Sequence, residues 1–142
     1  MKSNNVSSGK VPLFHCTLTK NVAKIQKNGI LILQTSNWVK SGDESRYGGG
    51  YIFAFTAVKD AYRWAFKWDW SINSKMGSGK ISIVEFVDDR ETWQIDDADP
   101  MSQAINEGVW LKKIGSIAPS AIRRTYAVTP DMVKDVVLRG DE

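Results

Sequence analysis

The side chains best suited to chemistry begin at the chain's single histidine. His15 and Thr17 stand two residues apart in an apolar run starting at Val11, so on a strand both project from one face and could present polar atoms to one ribose or amide. Gly48, Gly49 and Gly50 lead into Tyr51 and leave room for a bulky ligand, while Tyr51 and Tyr62 offer flat faces for stacking. Glu85 is a lone acid within an otherwise apolar run. A buried Glu85 would need a partner such as Arg46. The pairs Asp88-Asp89 and Asp96-Asp97 read as turn residues. Trp64, Trp68 and Trp70 read as cover for a core, with base stacking beside Arg63 and Lys67 as the alternative.

Other chemistries lack their residues. Gly77-Ser78-Gly79-Lys80 lacks the leading glycine of G-x-x-x-x-G-K and runs into Ile81, so it is not a phosphate-binding P-loop. One histidine excludes the H-E-x-x-H zinc arrangement, and His15 and Cys16, adjacent on a strand, face opposite ways and cannot pair. A single cysteine excludes an internal disulfide, and no metal site is expected.

The elements that must position these residues follow from periodicity. Val11 to Cys16 reads as a first strand. Thr19 fits a helix N-cap, with Leu18, Val22 and Ile25 on one face and Gly29 as the stop. Ile30 to Leu33 is extended, and Gln34 to Gly50 is a polar loop of the length that is often functional. Tyr51 to Phe55 is a short strand. Val58, Ala61, Tyr62 and Ala65 mark an amphipathic helix that leads through Trp68-Asp69-Trp70 to a linker, Ser71 to Gly79. Lys80 to Val87, apolar on both faces, reads as a central strand with Thr92 to Ile95 as its shorter partner. Asp96 to Asp99 with Pro100 is a loop, and Ser102 to Glu107 a helical turn. Val109 to Ile114, Thr125 to Val128 and Val136 to Leu138 are further strands. The order predicts an α+β fold with a split sheet and two main helices.

At 142 residues and 42% hydrophobic content, the chain fits one domain over residues 11–142, after a flexible polar arm over 1–10. No apolar stretch approaches the roughly 20 residues of a membrane span. The arm has no apolar h-region, so an intracellular, cytoplasmic protein without a membrane partner is expected. Residues 1–80 hold 12 Lys/Arg against 4 Asp/Glu, and residues 81–142 hold 7 against 12. Kept apart in space, the basic part could meet an anionic ligand or nucleic acid; the simpler reading is a mixed surface.

Phe14-His15-Cys16-Thr17, the helix ending Ile25-Gln26-Lys27-Asn28-Gly29-Ile30, the glycines before Tyr51 and the helix bearing Asp60-Ala61-Tyr62-Arg63-Trp64-Ala65 follow one another in a familiar order. With Ile117-Ala118-Pro119-Ser120-Ala121-Ile122 after them, the chain resembles the ADP-ribosyltransferase superfamily, its small bacterial and phage members and the RNA 2′-phosphotransferase branch in particular. The likeness runs from Leu13 to about Val128. It implies a split-sheet fold and NAD as co-substrate. It places His15 on the adenosine-side ribose, Tyr51 or Tyr62 on the nicotinamide ring, and Thr17 and Gly50 in the same cleft.

In that family a carboxylate, usually glutamate, stabilises the oxocarbenium-like transition state as the bond to nicotinamide loosens. Here the matching position is Val109 or Trp110, which cannot do so, and Glu107 would come into register only through a bulge or insertion. The resemblance thus implies a monomeric mono-ADP-ribosyltransferase with Glu107 as acid, of the kind used as a phage or bacterial effector or toxin. Its acceptor would be a macromolecule, protein ahead of nucleic acid. Glu85 is the other candidate acid, and a binding or inhibitor protein lacking an acid is the other class. A 2′-phosphotransferase would need several arginines near His15. Arg46 is the only one before Arg63, and Arg123 and Arg124 come late.

Overall fold

A computed structural model describes residues 9–31, 51–96 and 107–132 of the chain. Most of the expected arm, the loop with Arg46 and Gly50, the turn from Ser102 and the strand from Val136 lie outside them. The described residues form an α+β fold with a six-stranded antiparallel sheet. Its strands are β1 (Lys10–Leu18), β2 (Ile52–Phe55), β3 (Ile81–Asp89), β4 (Gln94–Ile95), β5 (Trp110–Lys113) and β6 (Ile122–Ala127), in spatial order β4-β5-β2-β1-β3-β6. Two α-helices accompany it, α1 (Val22–Asn28) and α2 (Val58–Asn73).

Alternation along β1 divides the core. Phe14 and Cys16 pack with Ala61, Trp64, Ala65 and Trp68 of α2, whereas Leu13 packs on the other face with Val84, Phe86, Leu111, Ile30 and Ile117. Each fully buried side chain of the size of Leu13 or Phe86 contributes about 1.5–3 kcal/mol. Because Ile81 and Ile83 face α2 and Val84 and Phe86 face away, β3 needs cover on both sides, and it lies between β1 and β6 as its apolar run predicts.

Three expectations are corrected. Gln94–Ile95 pairs with β5 and not with the strand at Lys80 to Val87, since β1 and β6 already occupy both edges of β3. Thr19 caps no helix: its hydroxyl donates to the Gly79 carbonyl at 2.7 Å and lies 2.8 Å from Ser82 Oγ, while residues Thr19–Asn21 form a 3-10 turn. The second helix runs on to Asn73, into the expected linker. Buried Asp69 holds it there, accepting from Asn73 Nδ2 at 2.7 Å and from Ser78 N and Oγ at 2.7 and 2.8 Å.

Candidate functional site

β1 is registered along its whole length with β3 but at a single position, Phe14↔Phe55, with β2. His15 is the next residue along. Its Nδ1 lies 2.7 Å from the Phe53 carbonyl, so a side chain of β1 bonds to the backbone of β2. A carbonyl only accepts, so the proton is on Nδ1 and the neutral ring keeps Nε2 as an acceptor. His15 is half-buried on the face away from α2, and Thr17, two residues on, is buried there against the strand that carries Ser82.

Burial holds the His15 pKa below its ordinary value of 6.5, and the hydrogen bond to Phe53 offsets part of that effect. The unfolded chain therefore takes up a proton below that value before the folded chain does, so stability present at neutral pH is lost as pH falls from there toward the folded pKa. We expect the thermal midpoint to drop between about pH 7 and about pH 5.5, and to drop less in His15→Gln, which removes the titrating group and keeps a donor for Phe53. An equal loss in both proteins would assign the effect to other groups.

Glu107 is placed by a different network. The buried Asp60 carboxylate, in the first turn of α2, accepts from the Glu107 N–H at 3.0 Å, the Gly108 N–H at 2.9 Å and Arg63 Nη1 at 2.9 Å. Arg63 Nη2 reaches the Glu107 carboxylate at 3.3 Å. Thr56 completes the clamp, its hydroxyl accepting from Val109 N–H at 2.9 Å and its own N–H donating to the Val109 carbonyl at 3.1 Å. β5 begins at Trp110, opposite Phe55, so Glu107 precedes the strand with no bulge drawing it in. It is engaged against α2, whereas His15 projects from the opposite face.

The remaining candidates are dispersed. Tyr51 leans toward β5, with Lys112 Nζ 5.0 Å from its ring centre and Phe53 at 6.2 Å. Tyr62 leans toward β6, beside Tyr126, and the two tyrosines do not form one stacking slot. Glu85 is paired with Arg124 at 2.7 Å, not with Arg46. Burial, then the Tyr62 hydroxyl, push the Tyr126 hydroxyl above its usual range. The Tyr62–Tyr126 pair falls short of hydrogen-bond geometry, so Tyr126 Oη is buried without a hydrogen-bond partner among the described residues. Asp88 is no simple turn residue. Burial alone would raise its pKa, but Lys113 Nζ at 2.6 Å and Trp93 Nε1 at 2.9 Å hold it below the ordinary value. Asp89 does serve the turn that follows, accepting from Glu91 N–H.

A cavity of about 20 Å³, room for one water, lies between β1, β2, β5 and α2, lined by Cys16, Phe53, Phe55, Trp64 and Trp110. It is too small for a nicotinamide. Asp96, expected in a turn, is buried at its wall. Cys16 donates to the Ala61 carbonyl, and burial pushes its thiol pKa up, which removes it from nucleophilic chemistry. No group of three or more metal-ligating side chains occurs among the described residues, and no helix among them is long and apolar enough to cross a membrane.

No protein-family model matches the sequence, and no curated protein is significantly similar to it. The fold is similar to the crystal structure of protein CC0527 from Caulobacter crescentus, with a TM-score of 0.50 and 12% identity over 89% of this chain and 99% of that one. At that identity the likeness concerns the fold.

Proposed function

We propose that the chain binds NAD where β1 and β2 part at His15, within an ADP-ribosyltransferase-like fold, and transfers ADP-ribose to a macromolecular acceptor, protein ahead of nucleic acid. The observation that carries the binding half is the Nδ1–Phe53 hydrogen bond. It fixes the ring's tautomer and orientation, so Nε2 can accept from a ribose hydroxyl without first being ordered. The docking of two of the resembling segments on each other also supports the reading: Ile30 bridges Ile117, ahead of Pro119. In this scheme Glu107 holds the nicotinamide ribose as the glycosidic bond loosens, and must exchange Arg63 for that hydroxyl. Thr17 acts from beneath, as it is buried. Tyr51 and Tyr62 contribute singly.

The Arg63–Glu107 pair favours a second reading, a nucleotide-binding module on the same fold without turnover. Calorimetric titration with NAD and transfer of labelled ADP-ribose in cell extract separate the two. We expect NAD binding by the wild type, at least tenfold weakened in His15→Ala, since about 1.4 kcal/mol is tenfold and a hydrogen bond to a ribose is of that order. Glu107→Gln should retain binding and lose transfer by about a hundredfold or more. Binding without transfer or NAD hydrolysis in the wild type establishes the module. Absence of binding sinks both. A 2′-phosphotransferase ranks below them because Arg124 is already engaged by Glu85.

A further inference from the structure

The end of α2 and the turn after it carry three exposed large apolar side chains within seven residues: Trp70 (61% exposed), Ile72 (43%) and Met76 (46%). Exposed apolar groups concentrated in this way mark an interaction surface more often than scattered ones do. The tip is firmly built. Asp69 ties Asn73 and Ser78 together, Ser74 turns left-handed with its N–H on the Trp70 carbonyl, and Gly77 is so close to Pro130 that a Cβ would lie 2.5 Å from its nitrogen.

Among the described residues, the exposed charge around the tip is mostly positive. Lys67, Lys75 and Lys80 are exposed, and Lys20 joins them because Thr19 N–H donates to the Lys80 carbonyl at 2.8 Å. Both acids of α2, Asp60 and Asp69, are buried and hydrogen-bonded within the protein. The nearest exposed acid that the contacts identify is Asp131, next to Pro130.

We infer that this tip binds the surface of an anionic lipid bilayer, with Trp70, Ile72 and Met76 entering the headgroup boundary and the lysines meeting the lipid charges. Three features select lipid over other anionic partners. Lysine is depleted in protein–protein interfaces but is effective against an anionic leaflet. Single-stranded nucleic acid needs successive ring faces, and here Trp64 and Trp68 are buried, leaving Trp70 among aliphatic neighbours. A tryptophan beside lysines is the usual composition of the membrane–water boundary. The contact is peripheral and independent of the NAD reading.

The test is co-sedimentation of the full chain with vesicles of phosphatidylcholine and phosphatidylserine in equal proportion, against phosphatidylcholine alone and against a single-stranded oligonucleotide. Binding to the anionic vesicles alone is expected, reduced at least tenfold in Trp70→Ala and in the double variant Lys67→Glu, Lys75→Glu, and weakened by added salt. Circular dichroism melts establish that the exposed-site variants are folded. In the wild type, brominated lipid should quench tryptophan emission, and Trp70→Phe should lose that quenching. No binding to anionic vesicles, binding unaffected by these substitutions in folded protein, or binding of the oligonucleotide in place of vesicles overturns the inference.

Discussion

Asp60→Ala should lower the stability of the protein by about 3 kcal/mol in urea unfolding, because truncation strands the partners of a buried carboxylate. The Asp60 carboxylate satisfies the N–H groups of Glu107 and Gly108 and one arm of Arg63, and its side chain has no exposure. Without it, two backbone donors lose their acceptor, Arg63 keeps only Glu107, and the segment leading into β5 loses most of its attachment to α2. Asn would be a poor substitute, since an amide offers one acceptor oxygen where two are used. An unchanged urea midpoint in Asp60→Ala would show that the clamp contributes little. The same variant informs the catalytic reading: if Glu107 acts as the acid, releasing its backbone should reduce transfer beyond what the loss of folded protein explains, measured below the melting range.

That clamp was not legible in the sequence. Asp60 sits at a position of α2 where an exposed charge is ordinary, and nothing local marks a carboxylate whose partners lie 47 and 48 residues away. Asp69 differs, since its partners Asn73 and Ser78 lie only four and nine residues on, yet nothing in their types marks the acid as buried. By contrast, β1, the apolar face of α2 and the interior position of β3 were readable, because alternation and helical periodicity are local signals of what must be covered. The two-residue strand at Gln94 pairs with β5 instead of β3 because pairing depends on which edges are already taken. Residue type singles out His15, and alternation gives its strand. Its hydrogen bond to Phe53, which sets the tautomer, arises only from the sparse registration of β1 with β2.

The physical separation of His15 from Glu107 sharpens the functional question. One residue belongs to the face away from α2, held by β2. The other lies ahead of β5, held against the first turn of α2 by Asp60 and Arg63. A ligand joining them must reach round the end of β2, where Phe55 and Thr56 meet Trp110 and Val109. The dinucleotide named in the proposal has two riboses, so the demand suits its length, and a mononucleotide should bind through the His15 end alone. His15→Ala is therefore expected to weaken NAD and AMP alike, while Glu107→Gln leaves AMP affinity unchanged.

Gly29→Ala carries the other large expected effect, and it tests whether the resembling segments are structurally joined. Gly29 ends α1 with φ 83° and ψ −175°, a conformation that L side chains rarely adopt, and its N–H closes on the Ile25 carbonyl at 2.7 Å. An added Cβ would lie 2.0 Å from the Ile117 carbonyl oxygen and 3.0 Å from Pro119, so backbone on both sides of the contact would have to move. The Ile30–Ile117 bridge, with hydrogen bonds of 2.9 and 2.8 Å, sits one residue away and would be lost with it. Strain and displacement together should cost roughly 3 kcal/mol. Gly79→Ala supplies the contrast. Its φ of 87° carries a similar conformational penalty, but nothing lies within 4 Å of the added methyl. That variant should lose about 1 kcal/mol. A difference of this size between the two, read from denaturation midpoints, would trace the demand for glycine at position 29 to the turn at Ile117. Equal losses would reduce it to backbone conformation and detach α1 from that turn.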